Sequence, residues 1–230
     1  MRRHPRLLTA VLAASALVAG CSGATVSDDA PPAERLEDAR AAMDNAGSMT
    51  LELTSREVPP RETGVTAAQG DGVVSETEPK FRGTITGSIE GTSGNIEVVA
   101  IGDTTWMKFF TPDYEETDLS TIGAPNPAQF FHPGDGLSSM LTATEDPVAG
   151  SDAREGEEVL GTISGTLPGA IVSDLLHLGD GTGSYDVVYG LTENDQLRTA
   201  KLTGPFFPDS TSTYVLVLRD YGSPVEITRP

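Results

Sequence analysis

From residue 49 onward, apolar and polar positions alternate along much of the chain. Met49, Leu51 and Leu53 alternate with Thr50, Glu52 and Thr54. Phe81, Gly83, Ile85, Gly87 and Ile89 alternate with Arg82, Thr84, Thr86, Ser88 and Glu90, and Ile96 and Val98 follow with Asn95 and Glu97 between them. Further strand-like runs cover 104–110, 159–167, 185–191, 197–202 and 214–218. A clean period of two indicates antiparallel strands with one wet face. Helical spacing is confined to three places. Leu36, Ala39, Met43 and Ala46 share one face over 34–46, and Gly47 supplies a stop. Residues 127–143 hold short helical patterns around Phe130, Phe131, Leu137, Met140 and Leu141. Residues 168–178 place Ile171, Leu175 and Leu178 on one side of a helix with Pro168 in its first turn. Residues 57–79 carry little apolar pattern and read as a long, mobile, solvent-exposed connection between two strands.

Two predicted strands place glycines among their apolar positions: Gly83 and Gly87 in one, Gly161 and Gly165 in the other. Glycine costs entropy in a strand and offers nothing to pack. Three readings follow. The sheet bends sharply, the concave face leaves room for a guest, or a neighbouring backbone packs close. The first two are compatible.

Composition agrees with a strand-rich fold. There are 25 glycines and 16 prolines, and aromatic residues make up 6%. That balance favours turns and short strands over a helical bundle. The formal charge of the whole chain is −19. Such acidity argues against a nucleic-acid partner and against adsorption to anionic lipid through basic residues. A single cysteine forms no internal disulfide and excludes a multi-thiolate zinc site.

Residues 1–20 read as a signal peptide: Arg2, Arg3 and Arg6, an apolar run over 7–18, then small residues. The run is shorter than the roughly 20 residues of a membrane span. Losing those three arginines takes the charge from −19 to −22. The junction Val18-Ala19-Gly20-Cys21 resembles a bacterial lipobox. That resemblance implies that Cys21 is diacylated and becomes the new N-terminus, and two or more chains give stable anchoring. Residues 21–33 then form a lipidated terminus and tether, and 34–230 one domain.

Catalytic signals are thin. Beyond the leader the histidines are His132 and His177, and no G-x-S-x-G elbow, P-loop or H-E-x-x-H occurs. His132 reads as a packed or solvated loop residue, and His177 as a helix-end residue favoured by the dipole. The acidic runs 113–116 and 154–158 lack the D-x-D-x-D-G order of a calcium loop and read as solvated faces. Trp106 reads as core or pocket wall.

The order of segments is more informative than any one motif. A helix leads into G-S-M-T-L-E-L-T, followed by F-R-G-T-I-T-G-S-I-E-G, I-G-D-T-T-W-M-K, N-P-A-Q-F-F-H-P-G-D-G-L-S-S-M-L and G-T-I-S-G-T-L-P-G-A-I-V. K-L-T-G-P-F-F and L-R-D-Y-G-S-P-V-E-I complete it. Over most of 34–230 this resembles the actinobacterial LppX/LprA/LprF/LprG lipoproteins; the long segment 57–79 departs from the shorter hairpin expected.

The resemblance implies an α+β fold: one strongly curved antiparallel half-barrel, helices covering its concave face, and an apolar cavity between the layers. It implies a non-enzymatic carrier without a cofactor. Such a carrier takes diacylated or triacylated lipids or glycolipids outward from the plasma membrane's outer face, where Cys21 anchors it, in some cases beside an export transporter. On that footing the cavity walls fall to Leu51, Leu53, Ile85, Ile89, Ile96, Val98 and Ile163. Lids come from Phe130, Leu137, Met140, Leu141, Ile171 and Leu175, and Gly83 and Gly87 give clearance. The competing readings are an envelope lipoprotein that docks a transporter or wall enzyme without carrying lipid, and a lipid hydrolase using His132 or His177.

Overall fold

The computed structural model describes residues 30–59, 62–89 and 92–230, with residue 89 described in its backbone only. The leader, Cys21 and the Ile89 side chain therefore lie outside the described residues. Helix α1 (Pro32–Asp44) opens the fold. It is followed by β1 (Ser48–Arg56), β2 (Gly64–Val73), β3 (Lys80–Ile89), β4 (Thr92–Ile101), β5 (Thr104–Lys108) and the short β6 (Glu115–Glu116). Two 3₁₀ turns (Leu119–Ile122 and Pro127–Phe131) and α2 (Ser139–Thr142) come next. Then follow β7 (Glu145–Ala149), β8 (Ala153–Glu155), β9 (Glu158–Pro168), α3 (Gly169–Leu176), β10 (Ser184–Leu191), β11 (Leu197–Gly204) and β12 (Ser212–Arg219).

The strands form one curled antiparallel sheet in the order β6-β5-β4-β3-β2-β1-β12-β11-β10-β9-β7, with β8 pairing on β9. The first and last strands pair at the centre, Leu51 opposite Leu218 and Leu53 opposite Leu216. The two edges, β6 and β7, are consecutive in sequence. The chain between them, residues 117–144, therefore crosses from one edge to the other, and it does so over the concave face. We refer to this segment as the strap.

Segment 57–79 is not the mobile connection that its weak apolar pattern implies. It contains β2, fully paired between β1 and β3. Cross-strand partners share a face, so Gly72, Gly70 and Ala68, opposite Met49, Leu51 and Leu53, are the inward residues of β2. Those positions are small because larger groups from elsewhere occupy their space. A Cβ at Gly72 would enter the ring of Phe131 from the strap, and one at Gly70 would lie 2.8 Å from the Phe81 ring. Hydrophobic periodicity misses a strand whose inward side is glycine and alanine.

The glycines of β3 are explained the same way. A Cβ at Gly83 would meet the Gln69 carbonyl and the Phe81 ring, and one at Gly87 would sit 2.9 Å from the Gly64 carbonyl. Their missing side chains let neighbouring backbone and an aromatic ring approach, as a sharply coiled sheet requires. On β9, Gly161 lies under the Arg35 guanidinium and Gly165 against Thr144 and Glu145.

Helix α1 buries Leu36, Ala39 and Met43 in the same core as the inward strand residues. Its ends are tied to the sheet and the strap. Arg35 donates to Asp195 in the β10–β11 turn at 2.7 Å. Asp44 accepts from the Ser138 hydroxyl at 2.6 Å and the Gly134 N–H at 3.1 Å. Arg40 donates to Thr142 at 2.8 Å.

Phe131 is 3% exposed and stacks on Phe81 with centroids 6.1 Å apart. Phe131→Ala is expected to destabilise the protein by about 3–5 kcal/mol, measured by urea unfolding. A loss under about 1 kcal/mol would show that the strap is not held by this ring.

Candidate functional site: an apolar cavity under the strap

Between the sheet and the strap lies a cavity of about 200 Å³. Its sheet side is built from Leu51, Leu53, Val65, Ala68, Phe81, Ile85, Ile96, Val98, Met107, Leu202 and Leu216. Pairing places these side chains on one face: Ile85 lies opposite both Ala68 and Ile96, Leu53 opposite Ala68 and Leu216, and Val98 opposite Met107. The strap supplies Leu119, Ile122, Ala124, Pro125, Pro127, Phe130, Leu137 and Met140. The end of α3 adds Leu176 and Leu178. Polar side chains on the wall are Thr63, Ser88, His177 and Tyr214; among the described residues no carboxylate, lysine or arginine lines it. An apolar void without charge is a poor place for water, because a buried water needs two to four polar partners.

Most of the wall expected from sequence is brought together. Leu51, Leu53, Ile85, Gly87, Ile96, Val98, Phe130, Leu137 and Met140 all line the cavity. The others stand apart. Gly83 is covered by the Phe81 ring. Leu141 and Ile163 are fully buried in the surrounding core. Ile171 and Leu175 pack against that core from α3, whose contribution to the wall comes instead from residues 176–178. The sequence reading missed Val65 and Ala68, hidden in an unrecognised strand, and 119–125, which carries no periodicity. Leu202 and Leu216 were legible, since both alternate within predicted strands.

Several polar contacts hold the strap and the cavity end. Tyr189 of β10 is buried and donates to the Met140 carbonyl at 3.2 Å, with Thr144 Oγ1 at 2.9 Å. Tyr214 donates to the Val65 carbonyl at 3.0 Å, and burial pushes its phenol up to about 12. Ser88 is 8% exposed and its hydroxyl has no hydrogen-bond partner. Two carboxylates flank the lining segments. Asp118 caps the turn that begins at Leu119, and Asp180 follows Leu178. Hydrogen bonds from the Ser120 and Thr182 hydroxyls, then from their backbone N–H groups, hold both below the usual carboxylate range. Both are sequence neighbours of lining residues rather than part of the cavity wall.

The histidines are not arranged as a catalytic pair. His132 Nδ1 lies 3.6 Å from Asp135. His177 ends α3 in a left-handed conformation (φ 52°) at the cavity wall. Among the described residues no hydrogen bond joins either imidazole ring to a serine hydroxyl; the His177 backbone N–H donates to the Ser173 carbonyl at 2.9 Å. No cluster of three or more metal-ligating side chains occurs among them, and no described helix is long and apolar enough to cross a membrane.

A curled antiparallel sheet closed by a strap over an apolar cavity defines a lipoprotein fold with known representatives. The crystal structure of LprF from Mycobacterium bovis superposes with a TM-score of 0.74 at 16% identity, covering 86% of this chain and 96% of that one. That of LppX from Mycobacterium tuberculosis gives 0.64 at 14% identity, covering 86% and 98%. The model of the LppX_LprAFG lipoprotein family matches residues 31–227, and the chain belongs to that family. No curated protein is matched at a significant level.

The tyrosines give a pH test. The Tyr214 phenol has an ordinary value near 10 and is raised to about 12 in the fold. Its proton-bound form is favoured by folding, so this contribution is whole below about pH 10 and is lost as pH rises to about 12. Urea midpoints should hold to about pH 9.5 and fall above about 10. Tyr214→Phe should remove part of that fall; an unchanged profile would contradict the assignment.

Proposed function

We propose that this protein is a non-enzymatic carrier that holds acyl chains of an envelope lipid or glycolipid in the cavity and moves them outward from the plasma membrane. The observation that carries the reading is the cavity itself: an uncharged, predominantly apolar enclosure beneath the segment that crosses between the two sheet edges. Acyl chains gain most when removed from water, and a carrier must supply such a container while leaving the head group outside. The wall's few polar groups, the hydroxyls of Thr63, Ser88 and Tyr214 and the His177 ring, are its only polar features among the described residues.

At about 200 Å³ the cavity is smaller than the roughly 300–1,000 Å³ of typical ligand pockets. Loading a diacylated or triacylated lipid therefore requires the strap to move away from the sheet. The family's lipoprotein character supports anchoring through Cys21 at the outer face of the plasma membrane, with one or more export transporters as handover partners. The competing reading, a lipoprotein that docks such a partner without carrying lipid, draws on the small volume.

Uptake of a fluorescent diacyl lipid separates the two. Ala68 faces the cavity between Leu53 and Ile85, so Ala68→Phe should fill it and lower uptake roughly tenfold, a loss of about 1.4 kcal/mol, without lowering the melting temperature. Equal uptake by folded Ala68→Phe protein would exclude this cavity as the container. For the anchor, Cys21→Ser should abolish incorporation of labelled fatty acid and shift the protein from the detergent phase to the aqueous phase on phase partition. Retention of label would overturn acylation at Cys21.

A further inference from the structure

Phe110 is the most exposed large apolar residue described, at 80%, and it is held in a left-handed conformation (φ 56°). That backbone is unfavourable for a bulky residue, and it turns the ring outward at the tip of the β5–β6 hairpin. The ring is not isolated. Its centroid lies 4.2 Å from that of Phe109, and both rings lie against Gly94. Gly94 pairs with Gly87, which lines the cavity. The rings of Phe110 and Phe109 therefore lead from the protein surface to the strand pair whose Gly87 lines the cavity.

We propose that Phe110 is a membrane-docking tip, inserted into the bilayer surface so that the cavity lip meets the lipid phase directly. This rests on the carrier reading and adds the surface through which cargo enters. Three features point to a bilayer. The exposed ring at the surface leads by way of Phe109 and Gly94 to the strand pair that borders the apolar cavity. The chain is strongly acidic, with a formal charge of −19, so contact is made by apolar insertion and is opposed by anionic head groups. The chain between Cys21 and α1 is long enough. Helix α1 starts at the sheet end away from the lip, near Gly161 and Asp195. Residues 22–31 extend to about 35 Å, and a ten-residue strand spans about 33 Å. A tether running back along the domain lets the lip reach the membrane in which Cys21 is held.

The test moves the fluorescent probe to the tip. Trp106→Phe combined with Phe110→Trp leaves a single tryptophan, at the hairpin tip, in the acylated protein reconstituted into vesicles. On phosphatidylcholine brominated in the acyl chains, emission from this tip probe should shift to the blue and be quenched. Equimolar phosphatidylglycerol should weaken both effects. Phe110→Asp should slow lipid uptake from vesicles roughly tenfold or more, the order expected from one buried phenylalanine, while uptake from detergent micelles and the melting temperature stay unchanged. Aqueous, unquenched emission from the tip probe on both vesicle types, in protein that takes lipid from micelles, overturns docking and leaves Phe110 to a protein partner. Protein whose tip probe inserts but which takes no lipid from either source leaves docking standing and overturns the carrier reading.

Discussion

The structure depends on one topological constraint. The first and last strands pair at the centre of the sheet, which leaves β6 and β7, neighbours in sequence, at opposite edges. The chain must cross the concave face to connect them. Because the sheet is curled, the strap covers a hollow rather than a flat surface. What fills the hollow is decided residue by residue: at the Ser48 end of β1 by α1 and the ring of Phe131, and towards the Arg56 end only partly, by the strap, the end of α3 and Phe207, leaving the cavity.

Glycine and aromatic positions are matched across that space. Gly72 receives Phe131, Gly70 and Gly83 receive Phe81, and Gly204 receives the ring of Tyr185. Each exchange replaces a strand side chain by an aromatic ring from the strap, a neighbouring strand or, at Gly83, two residues back in the same strand, and so keeps interior density high while the sheet stays strongly bent. Where the exchange stops, between Ile85, Ala68 and Leu53 below and Leu119 to Phe130 above, the cavity remains. The same strap that closes the fold thus forms one wall of the cavity. Its polar ties include Asp44 to Ser138 and Tyr189 to Met140 near α2 and Asn126 to the Gly102 carbonyl nearer β6. The 3₁₀ turn Leu119–Ile122 has no buried member and is the least tightly packed part of the strap.

Much of this was legible in the sequence. The alternation at Met49–Leu53 and Phe81–Ile89, the α1 face of Leu36, Ala39 and Met43, and the proline before α3 all led to the elements observed. The order of segments led to the family and its fold. β2 was hidden because its inward positions are glycine and alanine, so its apolar surface is contributed by Phe81 and Phe131 from elsewhere. The glycines of β3 were offered three explanations, and the geometry favours bending and close backbone approach; only Gly87 also touches the cavity. The 119–125 wall was not legible, because its apolar residues are placed by the crossing between the sheet edges rather than by a local period. Phe110 stood inside a predicted strand that ends two residues earlier, and its exposure arises from a backbone conformation that no pattern announces.

The central claim is that the space beneath the strap holds acyl chains. Native mass spectrometry of the full-length protein, expressed and acylated in an actinobacterial host, tests it most directly. The account predicts a population heavier than the acylated polypeptide by the mass of an intact lipid, released as a discrete species on collisional activation and reduced by Ala68→Phe. A folded protein found only at the mass of the acylated polypeptide, and taking up no added diacyl or triacyl lipid, would contradict it.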